Sequence, residues 1–225
     1  MIKQRLQGRE ANSMGHKVNP IALRLGIHQG FKSVGFYSKK SYSSTVLQDI
    51  KIRKALFEKL RPAGVGDVVI ERSLSSIKIT IYVTRPGIVI GRGGTGLEEL
   101  KKHIVQMLGI TKIDKNAKKL ELKVEPIKDA NLNAYLVASN ICEQLVKRMP
   151  HKRVMKQAVE KVMQQGAKGV RIVLSGRIGG AEIGRRERLQ AGKVSLSTIR
   201  EDIDYAQVPA LTKSGYVGVK VWINR

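Results

Sequence analysis

Ile88-Val89-Ile90-Gly91-Arg92-Gly93-Gly94-Thr95-Gly96-Leu97-Glu98-Glu99-Leu100 reads as a short apolar helix, a Gly-x-x-Gly loop and the start of a second helix. Glycine suits such a loop because it adopts positive φ freely and holds no side chain between the backbone and an approaching phosphate. A helix N-terminus beside the loop offers free N–H groups to an anion, and Arg92 adds a cation. Thr95 and Glu98 have the Ser/Thr-x-x-Glu spacing of a capping box, which marks the start of the second helix. Gly91, Arg92, Gly93 and Gly94 are therefore the first candidate RNA-binding residues. Alone, Gly-x-x-Gly is a weak pattern that also fits a plain helix–turn–helix connector.

Charge separates these readings. The chain has 42 Lys+Arg against 18 Asp+Glu in 225 residues, a net charge of +24, with a pI near 10.4. A pI above about 9 is the footprint of a nucleic-acid binder. The excess is spread along the chain: residues 1–43 hold 8 basic and 1 acidic residue, 44–125 hold 16 and 9, and 126–225 hold 18 and 8. A large polyanion touching much of the surface is the expected partner. No apolar run reaches the about 18 residues of a membrane span, and there is no secretory h-region, so no membrane partner is expected. Hydrophobic residues make up 42% of the chain, enough for one large core or two ordinary ones. Aromatics are only 4%, which favours a backbone clamp over base-stacking platforms. The single cysteine, Cys142, cannot form an internal disulfide; it reads as a small buried hydrophobe in a chain suited to a reducing, cytoplasmic setting.

Residues 1–13 are polar and aperiodic and read as a disordered extension, and 14–43 read as an arm with little core of its own. The pattern predicts a helix over 44–60 with a stripe of Val46, Leu47, Ile50, Lys54, Phe57 and Leu60, ended by Pro62 and Gly64. Strands are expected at Val68–Glu71, Ile77–Val83 and Leu120–Val124, with the Gly-loop helix pair over 87–108 between the last two. The order α-β-β-α-α-β with Gly-x-x-Gly between the later helices is that of a type II KH module, whose loop clamps about four nucleotides of backbone. The chain is thus expected to be α+β, with a KH type II domain over 44–126 followed by a second, two-layer α+β domain over 127–225.

In that second unit, helices are expected at 131–149 and 152–165, then strands at 170–175, 186–195, 203–211 and 216–223. On the second helix Lys152, Arg153 and Lys156 fall on one arc, with Val154, Met155, Ala158 and Val162 on the buried side. A solvated face is the usual meaning of such an arc. Here residues 147–188 hold 12 basic and 3 acidic residues, which favours RNA contact. The stretch Ser175–Arg188 sets glycines beside Arg177, Arg185, Arg186 and Arg188, and these join the RNA-contact candidates. Glu201-Asp202-Ile203-Asp204 is the one acidic cluster, read chiefly as a solvated turn, with a bound cation or a basic neighbour as the alternative.

Catalytic patterns are absent from the sequence. There is no Gly-x-x-x-x-Gly-Lys-Ser/Thr loop, no Gly-x-Ser-x-Gly, and no zinc spacing among His16, His28, His103, His151 and Cys142. No enzyme activity, metal or cofactor is expected.

Several blocks together resemble one family. They are Met14-Gly15-His16-Lys17-Val18-Asn19-Pro20 with Arg24-Leu25-Gly26, Arg85-Pro86-Gly87-Ile88-Val89-Ile90-Gly91, Gly166-Ala167-Lys168-Gly169, Ser175–Glu182, Asp202-Ile203-Asp204-Tyr205 and Gly218–Ile223. In this order they resemble the bacterial-type small-subunit ribosomal protein three family over about 14–225. The resemblance implies a place in the head of the small subunit, on rRNA, beside small-subunit proteins ten and fourteen. With proteins four and five, such proteins line the mRNA entrance tunnel, and basic residues of the second C-terminal helix contact mRNA and support its unwinding. Lys152, Arg153 and Lys156 match those positions, and Lys17 and Arg24 become further rRNA-contact candidates. In this family the loop is usually Gly-Lys-Lys-Gly, so Gly91-Arg92-Gly93-Gly94 has lost one cation. The rival expectations are a lyase acting on damaged DNA, which would need a desolvated Schiff-base lysine, and a free KH regulator of mRNA.

Overall fold

A computed structural model describes residues 18–74, 76–108 and 119–225. The expected extension over 1–13 and the candidate Lys17 lie outside the described residues. Elements run α1 (Pro20–Leu23), β1 (Ser33–Gly35), α2 (Tyr42–Lys59), β2 (Val65–Arg72), β3 (Ser76–Val83), α3 (Pro86–Ile90), α4 (Thr95–Leu108) and β4 (Lys119–Pro126). They continue with α5 (Ala134–Val146), α6 (His151–Gln164), β5 (Gly169–Gly176), β6 (Arg185–Gly192), β7 (Ile203–Thr212) and β8 (Gly215–Asn224).

The first sheet has the order β1-β2-β3-β4, with β2 and β3 antiparallel and β3 and β4 parallel. The alternation of Ile77, Ile79, Ile81 and Val83 puts all four into the core, where each buried isoleucine stabilises the fold by about 1.5–3 kcal/mol. Val89 of α3 and Leu100 and Ile104 of α4 close over them. This is the α-β-β-α-α-β arrangement expected of a KH module, with one addition. Strand β1, from the arm, pairs in parallel with β2, and Arg53 of α2 holds its start through Ser33 Oγ at 2.7 Å and the Lys32 carbonyl at 3.1 Å. Three residues, Ser-Val-Gly, carry too little pattern to announce a strand.

Helix α2 is rotated from the expected stripe. Asp49, Ile52 and Leu56 are buried, whereas Leu47 and Ile50 are more than half exposed and Lys54 is also exposed. The cause is an ion pair: Arg72 at the end of β2 donates from Nε to Asp49 Oδ1 at 2.7 Å, and both side chains are 5% exposed. Asp49 enters the core only because its partner arrives from another element, which helical periodicity does not reveal.

The second sheet is antiparallel throughout, in the order β6-β5-β8-β7. Val170, Ile172, Leu174, Val217, Val219, Val221 and Ile223 point from it to one side, against Ile141 of α5 and Val154 and Val162 of α6. The first helix is shorter than its expected 131–149: a 3₁₀ turn spans Ala130–Leu132, and Asn133 Oδ1 then caps α5 by accepting the Tyr135 and Leu136 N–H groups. Pro209 is accommodated because β7 is an edge strand. Cys142 is buried in this core, as its apolar setting suggested, and burial pushes its thiol up to about 11.

Arg24 joins the arm to the second layer. It is fully buried, and its guanidinium donates only to backbone carbonyls: Glu201 at 2.7 Å, Thr198 at 2.7 Å, Leu196 at 3.0 Å, Pro20 at 3.1 Å and Ser195 at 3.4 Å. The expectation that Arg24 contacts rRNA is therefore corrected. Its donors are spent inside the protein, fixing the loop between β6 and β7 against α1.

Arg24→Ala leaves these carbonyls without a donor and should lower stability by at least about 2 kcal/mol; Arg24→Lys should recover only part, since an ammonium has three donors and no planar fork. Urea unfolding with limited trypsinolysis of the arm checks this, and an unchanged midpoint would refute it. Cys142 should resist disulfide-exchange reagents at pH 8 in the native protein and react at once in urea. Because its folded pKa is raised from 9.0 to about 11, stability should be level below pH 9 and fall between pH 9 and 11.

Candidate nucleic-acid interface

Helix α3 ends where Gly91 turns to φ 71°, and Gly93 and Gly94 follow at 63° and 83°. Neither Gly93 nor Gly94 has a neighbour within 4 Å of a built Cβ, so their need for glycine is conformational and the space above them is open. Gly96, which the sequence reading did not single out, serves another purpose. A Cβ there would lie 2.6 Å from the Val89 carbonyl, so its absence lets α4 start directly against the end of α3. Arg92 is exposed at the tip, and Ile88 and Ile90 beside it are 50% and 39% exposed. The loop therefore presents backbone, one cation and an apolar lip. The expected capping box does not form. Thr95 is already in αR conformation, and its hydroxyl donates backwards to the Arg92 carbonyl at 3.0 Å.

On α6, Lys152, Arg153 and Lys156 are all exposed on one face, while Val154, Met155, Val159 and Val162 are buried. Val159 takes the place expected for Ala158, which is only partly buried. The first turn of α6 contains no acidic residue. Cations there oppose the partial positive charge of the helix N-terminus, at about 0.3–1 kcal/mol each at exposed positions. A bound polyanion would reverse the sign of that term.

One acid reaches the start of α6 from another element. Glu187 on β6 meets His151 Nε2 at 2.9 Å and Arg185 Nε at 3.1 Å. This contact brings the α6 face and the β6 arginines together, two groups the sequence left separate. Among the other candidates, Arg188 donates to Gln190 Oε1 at 2.6 Å, and Arg177 donates to the Ala181 and Ser214 carbonyls at 2.9 and 3.2 Å. Arg186 is exposed and has no bonded partner among the described residues. The Gly-loop belongs to the first layer and the α6 face to the second, and among the described residues no hydrogen bond or ion pair joins them.

Asp204 was hidden within the acidic cluster. Its Oδ2 accepts the Ala134 N–H at 2.9 Å and pairs with Arg225 at 2.8 Å, while Arg225 Nε also reaches the Leu132 carbonyl at 3.2 Å. The only available signal was the cluster itself, whose basic partner lies 21 residues away. Between the two layers, Phe57 and Tyr135 meet edge to face with ring centroids 5.2 Å apart, bordering a groove of about 1120 Å³. Lys54, Arg61 and Arg85 alternate there with Glu58 and Glu143 along an otherwise mostly apolar lining.

Two family models match the chain: a KH domain over residues 51–131 and the C-terminal domain of ribosomal protein S3 over residues 141–223. Full-length relatives agree. The chain is 45% identical to the small ribosomal subunit protein uS3 of Persephonella marina, over 94% of this chain and 90% of that protein. It is 44% identical to that of Carboxydothermus hydrogenoformans, over 94% and 92%, and 45% identical to that of Hahella chejuensis, over 93% and 89%. With a KH layer carrying an open glycine loop, a second layer carrying a bare basic helix face, and these relatives along nearly its whole length, the chain belongs to the uS3 family of small-subunit ribosomal proteins.

Proposed function

We propose that the chain holds rRNA in the head of the small subunit and presents the exposed face of α6 to mRNA at the entrance tunnel. Lys152, Arg153 and Lys156 contact the incoming strand there and support its unwinding. The observation that carries this reading is the start of α6, whose first two turns have three exposed cations, Lys152, Arg153 and Lys156, and no acid of their own. Glu187, the acid that approaches from β6, is engaged by His151 and Arg185. The α6 cations thus remain available to phosphate. Unwinding requires no nucleotide site in this chain, since the translocating ribosome supplies the work.

Arg177, Arg185, Arg186 and Arg188, with the Gly91–Gly94 loop, are the proposed rRNA contacts. The resemblance further supports neighbours in small-subunit proteins ten and fourteen, with proteins four and five near the entrance. Against a lyase reading, the described lysine with a displaced pKa, Lys78, is raised by its hydrogen bond and charge interaction with Glu71. A Schiff-base lysine needs the opposite shift.

Replacing Lys152, Arg153 and Lys156 together by Ala should leave subunit assembly intact and slow translation through hairpin-containing messages in a reconstituted system. Unimpaired rates on those messages would defeat the assignment. The same variant should lower the salt slope of single-strand RNA binding by about 2. It should also raise the protein's stability by about 1 kcal/mol, because unfavourable cations leave the helix N-terminus and alanine favours helix. Arg92→Ala should weaken RNA binding modestly and lower the slope by about 0.7; an identical slope would show that the loop cation makes no phosphate contact.

A further inference from the structure

The face of the second sheet turned away from α5 and α6 has Val173 buried at its centre, ringed by partly exposed Arg171, Lys220, Trp222 and Tyr205 and by exposed Arg186, Arg188 and Gln207. Strand register arranges it in rows: Gln190, Arg171, Trp222 and Tyr205 lie side by side, then Arg188, Val173, Lys220 and Gln207, then Arg186, Ser175, Gly218 and Pro209. None of these positions is acidic. Side chains directly opposite one another stand about 4.5–5.5 Å apart at Cβ, so four cations crowd one side of a four-stranded sheet.

Their internal partner is inadequate to neutralise them. Arg171 Nε and Arg188 Nη2 both donate to the same neutral oxygen, Gln190 Oε1, at 3.0 and 2.6 Å. Burial and the neighbouring Arg188 draw the Arg171 guanidinium below its ordinary pKa. Two guanidinium groups sharing one amide oxygen keep donors and charge for an external anion.

Beside them stands an aromatic pair. Trp222, the sole tryptophan of the chain, lies against Tyr205 with ring centroids 5.2 Å apart and planes tilted by 35°. Both rings are only partly buried. Although aromatics are scarce, the sheet places the tryptophan and a tyrosine in the same row as Arg171. One end of the face is bounded by the loop that Arg24 fixes, where Asn224 Nδ2 donates to the Lys193 carbonyl at 3.1 Å. The other end runs out to exposed Tyr216 and Leu211.

We infer that this open sheet face binds a single-stranded RNA segment, with phosphates at Arg171, Arg188 and Lys220 and a base against the Tyr205–Trp222 pair. Cations alone would suit any polyanion; aromatic rings in register with them suit one that alternates charge with flat bases. The face lies across the sheet from α6, so the domain offers RNA surfaces on both sides. The inference rests on the ribosomal reading and adds a further contact surface to it, one that takes in Arg186 and Arg188.

Because the chain has one tryptophan, its fluorescence reports on this face directly. The test titrates the full chain with an unstructured 12-nucleotide RNA, following Trp222 emission and, in parallel, anisotropy of the same RNA carrying a fluorophore. The expected result is quenching with the same midpoint as the anisotropy change, retained when Lys152, Arg153 and Lys156 are Ala. Arg171→Gln with Arg188→Gln should weaken the quenching midpoint about ten-fold and lower the salt slope by about 1.4. Lys220→Gln, a milder change, should weaken it about three-fold and guards against misfolding of the double variant. RNA binding seen by anisotropy with steady Trp222 emission and wild-type affinity in both variants would overturn the inference while leaving the ribosomal reading intact. Quenching by poly-glutamate equal to that by RNA at matched charge would overturn it in favour of an acidic protein partner. Failure of the wild-type chain to bind RNA at all would overturn both.

Discussion

Uncompensated positive charge is the constraint around which this molecule is arranged. With +24 on 225 residues, the fold must bring like charges close together, and it uses several of its few acids inside. Asp49 enters the core to meet Arg72, Asp204 holds the start of α5 and Arg225, and Glu187 binds His151 and Arg185. Each acid so used ties two elements together and is withdrawn from the solvent-facing cations. The α6 face and the open sheet face therefore carry almost no internal counter-charge. Self-repulsion of this kind destabilises the isolated chain and is relieved when phosphate arrives.

The three candidate surfaces offer RNA different chemistry. The Gly91–Gly94 loop offers backbone and a single guanidinium, suited to close approach by a sugar–phosphate chain. The α6 face offers point charges on a rigid rod, suited to a strand that slides past without being read. The open sheet adds aromatic surface, on which bases can rest irrespective of sequence. None of the three depends on base-edge recognition.

Much of the architecture was legible because periodicity is local. Ile77, Ile79, Ile81 and Val83 announced a strand, and the apolar and basic arcs of α6 separated cleanly along their helix. What stayed hidden depended on partners distant in sequence. Asp49 lay outside the stripe expected of its helix until Arg72 was placed beside it, and α2 turned accordingly. Arg24 looked like a phosphate ligand because a buried arginine served by carbonyls has no local signature. The acidic cluster at 201–204 concealed the role of Asp204 for the same reason. As for the candidate interface, the loop and the basic arc could be named from the chain. The sheet rows could not, because Arg171, Arg188, Trp222 and Tyr205 become neighbours only through strand register.

The carbonyl cage around Arg24 also bears on how the chain matures. Four of its five acceptors are contributed by residues 171 to 177 positions further along, so the contact closes one of the longest loops in the molecule. During synthesis Arg24 emerges ahead of every strand of either sheet and then waits, its guanidinium hydrated, while the chain through β6 is made. It can lock only after the loop beyond β6 has been made and placed. Because non-local contacts of this kind bear the full entropy of loop closure, they form late. Arm closure thus waits on the chain beyond β6, and a nascent chain arrested before that loop would leave Arg24 without its distant acceptors.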